Sequence, residues 1–75
     1  MNLQDFIANL ADQFDETDAS EFTEITKFRE LDEWSSFTAL VVIAFAKTTY
    51  GKSITGAEIR SCDSVTDLYN LIGSK

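Results

Sequence analysis

The 75-residue chain contains no histidine and a single cysteine, Cys62. Without histidine, a Ser-His-Asp catalytic site and the most frequent metal ligand are both excluded. One cysteine cannot form an internal disulfide, and we expect Cys62 to be a small, semi-buried residue. Residues 1–5 also lack the basic start of a signal peptide. These features predict a reducing, cytoplasmic setting.

Basic residues are scarce, with 6 Lys and Arg against 13 Asp and Glu and a formal net charge of −7. Binding to a phosphate backbone requires Lys and Arg, so nucleic acids and anionic membranes are poor candidate partners. The longest apolar run, residues 39–46, is also far shorter than the roughly 18 residues of a membrane span. We therefore expect neither a nucleic-acid partner nor a membrane span.

Acidic residues are concentrated in the first 33 positions, which hold ten carboxylates against Lys27 and Arg29. Residues 34–75 hold three carboxylates against four basic residues, so the two halves present different charge to partners. The densest acidic run lacks the regular ligand spacing and the glycine of a calcium loop. It predicts a solvated face and no metal site; the run comprises Asp12, Asp15, Glu16, Asp18 and Glu21.

Apolar spacing predicts a small all-α bundle in one domain, residues 1–75, with three main helices and one short helix. The predicted helices cover about 3–15, 37–50, 56–60 and the segment from Ser64 to Gly73. The intervening residues 15–34 predict a long loop with one helical turn. Regularly spaced apolar side chains should pin that loop to the core, namely Phe22, Ile25, Phe28, Leu31 and Trp34.

The second helix is apolar on more than one face, because residues 39–46 contain no polar side chain. Such a helix is usually central and buried. Alternatively, the apolar surface that remains after core packing is a docking face for a partner. Both interpretations are compatible with the pattern.

Two serines, Ser35 and Ser36, stand at the start of this helix. Serine is favoured as a helix N-cap, so either residue could cap. A hydroxyl here is also well placed to carry an attached phosphate, because helix N-termini present free N–H groups and positive dipole character. Hydrolysis by Ser36 with a lysine is a third interpretation, which requires turnover by the isolated protein.

The segment Leu31–Phe37, Leu-Asp-Glu-Trp-Ser-Ser-Phe, resembles the acyl carrier protein family. That family carries a serine at the start of its second helix, usually within an Asp-Ser-Leu or Asp-Ser-Met triplet and often after an aromatic residue. Ser36 matches the serine, while Ser35 and Phe37 replace its usual neighbours. The resemblance extends to Tyr50, to Ile54, to Thr55–Ile59 and to Ser64–Tyr69.

The resemblance implies a four-helix, monomeric carrier with no catalytic activity of its own. Ser36 would carry 4′-phosphopantetheine transferred from coenzyme A, and the thiol of that arm would hold acyl groups as thioesters. The implied partners are a phosphopantetheinyl transferase and acyl-transferring or acyl-activating enzymes of fatty-acid, polyketide or related synthesis.

The second helix of this family is typically acidic, whereas residues 39–50 contain Lys47 and no Asp or Glu. We therefore expect partners that match an apolar, weakly cationic helix. The predicted contact residues are Phe37, Leu40, Val41, Ala44 and Lys47. The alternative function is an unmodified helical interaction module that uses the same helix, with the serines serving only as caps.

Overall fold

The structure is a computed structural model that describes residues 2–75. Within that range the chain is all-helical, without strands, and forms a small bundle. The four α-helices are α1 (Leu3–Ala11), α2 (Ser36–Tyr50), α3 (Gly56–Arg60) and α4 (Val65–Gly73). This confirms the predicted fold class of three main helices and one short helix. No helix in the described range is long and apolar enough to cross a membrane.

Helix α1 begins at a side-chain cap and ends earlier than predicted. The Asn2 side chain accepts a hydrogen bond from the Asp5 amide at 2.9 Å. At the other end, Gln13 N donates to Leu10 O and Phe14 N donates to Ala11 O, both at 3.0 Å. These i→i+3 bonds tighten the chain after Ala11, so Phe14 remains buried although it lies beyond the helix. The predicted end near residue 15 is therefore wrong.

An aromatic cluster around Phe6 holds α1, α2 and α4 together. Phe6 is 0% exposed, and its ring centroid lies 6.0 Å from Phe45, 5.8 Å from Tyr50 and 5.5 Å from Tyr69. Burying each large apolar side chain contributes about 1.5–3 kcal/mol. The three long helices therefore share one core, to which α1 contributes the central ring.

The segment between α1 and α2 contains two short 3-10 turns, Ala19–Glu21 and Phe28–Glu30, where one turn was predicted. Phe22 and Phe28 are buried, and Trp34 packs edge-on against Phe28 at 5.2 Å. Ile25 is 82% exposed, so the prediction that it anchors this segment is wrong.

The exposure of Ile25 follows from the hydrogen bonds of its neighbours. Val65 N donates to Thr26 O at 2.9 Å, and Thr66 N donates to Glu24 O at 3.1 Å. The main chain on both sides of Ile25 is thus tied to the first turn of α4. Ile25 occupies the tip of the turn between these bonds, where its side chain meets solvent.

Helices α3 and α4 follow their predicted boundaries because each starts with a capping box. In α3, Thr55 and Glu58 exchange side-chain-to-backbone hydrogen bonds, and in α4 Ser64 and Asp67 do the same. Reciprocal bonds of this kind satisfy two amides that a helix N-terminus otherwise leaves without partners. Helix α2 packs beside α3, and α1 packs beside α4.

Candidate functional site

The N-terminus of α2 is held by a chain of hydrogen bonds around Thr38. Ser35 is the N-cap, and its Oγ accepts from Thr38 N at 3.2 Å. The Thr38 hydroxyl, in a side chain only 6% exposed, donates to the main-chain oxygen of Glu33 at 2.8 Å. These bonds connect the first turn of the helix to the residues that precede it.

The Glu33 carboxylate fixes the same region from the other side. It accepts hydrogen bonds from Asp15 N at 2.9 Å, Glu16 N at 3.0 Å and the Thr17 hydroxyl at 2.8 Å. Desolvation by itself raises the pKa of Glu33, but the bonds from Thr17, Glu16 and Asp15 outweigh it and hold the pKa below its ordinary value. The entry to α2 is therefore anchored to the residues that follow α1.

Ser36 is the first residue of α2 and is exposed. Because Ser35 provides the cap, the Ser36 hydroxyl is not needed for the helix, and it makes no hydrogen bond to another residue in the range 2–75. The two serines, equivalent from sequence alone, thus have different roles. Ser36 therefore presents its hydroxyl to solvent at the start of α2.

An apolar stripe runs along α2 away from Ser36. Phe37 is 74% exposed and Leu40 is 63% exposed. Ala44 is exposed, and Val41 is partly buried. Lys47, also exposed, lies ten residues beyond Phe37, or about 15 Å along the helix. These five predicted contact residues are hereafter called the α2 stripe.

The opposite face of α2 is buried. Its buried residues are Thr38, Val42, Phe45 and Ala46. The expectation that this helix is central and buried is thus correct for one face only. The other face is the apolar surface considered as a docking site.

A cavity of about 270 Å³ lies beside Ser36. Trp34, Ser36 and Ala39 line it from the α2 side, and Gly56, Ile59 and Arg60 line it from the α3 side. Sequence reasoning did not identify Arg60, because it is 24 residues from Ser36 along the chain. Only the packing of α3 against α2 brings them to one cavity.

The Ser36 hydroxyl has no base hydrogen-bonded to it within residues 2–75. Lys47 Nζ instead lies 3.5 Å from Ser53 Oγ. Cys62 is buried and packs in the core away from the site lining. Across the same described residues, no group of three or more carboxylates and cysteines is placed to hold a metal ion.

Comparisons with protein-family models, with curated proteins and with solved structures gave no match to this chain.

Proposed function

We propose that the protein is a carrier that holds acyl groups on a 4′-phosphopantetheine arm attached to Ser36 and delivers them to partner enzymes. The observation that supports this proposal is the free Ser36 hydroxyl at the start of α2, directly beside the exposed α2 stripe. The resemblance of the segment Leu31–Phe37 to acyl carrier proteins supplies the chemical class of the arm.

The residues around Ser36 fit such a group. The hydroxyl is exposed, and the adjacent cavity has room for part of an arm. When bound, the arm supplies a terminal thiol that carries an acyl group as a thioester.

Attachment is a phosphoryl-group transfer from coenzyme A. The Ser36 oxygen forms a bond to the phosphorus next to pantetheine, and the bond from that phosphorus to the diphosphate bridging oxygen breaks. Adenosine 3′,5′-bisphosphate leaves with the electron pair of that bond. The Ser36 proton passes to a base of the transferase, since no base of this chain is hydrogen-bonded to Ser36 in the described range.

The other residues of the site orient the attachment point and the partner. Ser35, Thr38 and Glu33 hold the helix end in one conformation, so Ser36 stays exposed to a transferase. The α2 stripe is the proposed docking surface, since exposed apolar patches mark interaction sites. Such a carrier would work in the cytoplasm, where coenzyme A and a transferase meet it.

The test is intact-protein mass spectrometry after incubation with coenzyme A and a broad-specificity phosphopantetheinyl transferase. Wild type should gain the mass of one phosphopantetheine, and Ser36→Ala should gain nothing. Ser35→Ala is the matched control, because it keeps the acceptor hydroxyl and loses only the cap. Ser35→Asp keeps a cap and supplies the residue usual in the family, so it should be modified at least as fast as wild type.

Ser35→Ala should still gain the mass, and loss of modification in Ser35→Ala but not in Ser36→Ala would contradict Ser36 as the attachment residue. Absence of any mass gain with several transferases would contradict the carrier proposal.

A second candidate function is an unmodified interaction module, which the exposure of Phe37 and Leu40 favours. Under this model Ser36→Ala binds its partner normally, whereas Leu40→Ser weakens binding. Under the carrier model, partners that act on the bound acyl group require the modified form. Comparing one partner against unmodified and modified protein separates the two.

A further inference from the structure

We propose that Arg60 binds the phosphodiester that joins the arm to Ser36, so that α3 positions the arm at the edge of the cavity. This inference rests on the proposed function. It adds a residue that neither the composition nor the resemblance pointed to.

Arg60 and Ser36 line the same cavity. The Nη1 atom of Arg60 lies 3.3 Å from the point that a Cβ on Gly56 would occupy. The guanidinium therefore folds back over the first residue of α3, which also lines this cavity.

The Arg60 guanidinium also has no competing partner among the described residues. Arg29 pairs with Asp63 at 3.2 Å, and Lys75 pairs with Glu58. Lys52 donates to the main-chain oxygen of Lys75 at 2.6 Å. In contrast, the Arg60 side chain makes no ion pair or hydrogen bond with any residue from 2 to 75. Its donors are thus available to an anion in the cavity.

A guanidinium also matches a phosphodiester chemically. A phosphodiester on Ser36 has two non-bridging oxygens and one negative charge, and a guanidinium can donate to both oxygens at once. Because the phosphodiester is covalently attached to Ser36, Arg60 does not have to bind it from free solution. Even an exposed pair, which is weak between free ions, then suffices to orient the arm.

The test is phosphorus NMR of the modified protein at ionic strengths of about 0.01 M and about 1 M, where the screening length falls from about 30 Å to about 3 Å. The wild-type phosphodiester resonance should shift between the two salt concentrations as the pair with Arg60 is screened. Arg60→Gln should lose this shift, and its resonance should lie at the high-salt position of wild type. Arg60→Lys should retain part of it.

Lys27→Gln is the matched control, because it removes one positive charge from an exposed residue that does not line the cavity. It should show the wild-type shift. An equal shift in Arg60→Gln and wild type would overturn the role of Arg60, because the shift would then be a general effect of salt.

A second measurement needs no variant. The Nε–H resonance of Arg60 in wild type should move when the protein is modified, while that of Arg29 should not. An unmoved Arg60 resonance would also overturn the inference. If no transferase adds mass to Ser36, the proposed function and this inference both fail. If mass is added and Arg60 does not respond, only this inference fails.

Discussion

The buried hydroxyl of Thr38 donates to the main-chain oxygen of Glu33 at 2.8 Å, which ties the first turn of α2 to the residue three positions before Ser36. The same hydroxyl lies 3.2 Å from Ser35 Oγ. Thr38 therefore connects the cap of α2 to the segment that leads into it, and Ser36, which lies between Ser35 and Thr38 in the chain, is left exposed.

Thr38→Val should destabilise the protein by about 1–2 kcal/mol, because it removes a hydrogen bond and leaves the Glu33 carbonyl without its partner. The measurement is urea denaturation followed by circular dichroism. Thr48→Val is the control in the same helix, since the exposed Thr48 hydroxyl donates only to Ala44 O. It should change the free energy of unfolding by less than about 0.5 kcal/mol. Equal losses in both variants would contradict the role given to Thr38.

Phe6→Ala should cost about 3–5 kcal/mol, because Phe6 is fully buried at the centre of the aromatic cluster. Phe37→Ala makes the same chemical change at an exposed position and should shift the free energy of unfolding by less than about 0.5 kcal/mol. Denaturant titration of both variants tests this. A large loss in Phe37→Ala would mean that the α2 stripe is part of the core and not free for a partner.

Stability should fall in acid partly through Glu33. Its pKa in the folded protein lies below the ordinary value of 4.5, so the unfolded chain binds the proton more tightly. The contribution of Glu33 is fully present above that ordinary value and is lost as the pH falls through the lower folded value. Glu33→Gln should therefore have a weaker dependence of stability on pH below about 5 than wild type.

Denaturation midpoints measured from pH 7 downwards test this dependence. Acid sensitivity should not vanish in Glu33→Gln, because hydrogen bonds also lower the pKa values of Asp18 and Asp67. Asp12→Asn, at an exposed carboxylate without a side-chain hydrogen bond to the described residues, serves as the control. A pH profile of Glu33→Gln identical to that of wild type would refute the role of this carboxylate.

Cys62 should react slowly with thiol reagents in the folded protein. Burial raises the pKa of its thiol, and the negative charge of Asp67 acts in the same direction. A reagent can then reach Cys62 only when the protein opens locally around it. An opening free energy of only about 1.4 kcal/mol already slows the labelling reaction about tenfold. The rate at which Cys62 reacts with a chromogenic disulfide, compared in buffer and in urea, measures how far the folded structure slows labelling. Ser53→Cys on a Cys62→Ala background is the exposed control, and it should react at the same rate in both solvents.

Short-range signals in the sequence were sufficient for most helix boundaries. The boundaries of α3 and α4 were predicted correctly, because their capping boxes join residues only three positions apart. The end of α2 at Gly51 is equally local, since Gly51 has φ 69° in the left-handed region that favours glycine. The end of α1 was missed because Phe14 continues the apolar spacing after the helix has tightened into a turn.

Local patterns in the chain were enough to establish a small helical protein, in which α2 starts at a serine pair and carries more apolar surface than one buried face needs. The apolar periodicity of a helix and its caps involve residues up to four positions apart, so both can be recognised from the sequence. The exposure of Ile25 and the cavity shared by Arg60 and Ser36 could be seen only in the folded chain. Both depend on packing between segments that are distant in sequence. Such packing sets burial and hydrogen-bond partners, and local sequence patterns do not encode it.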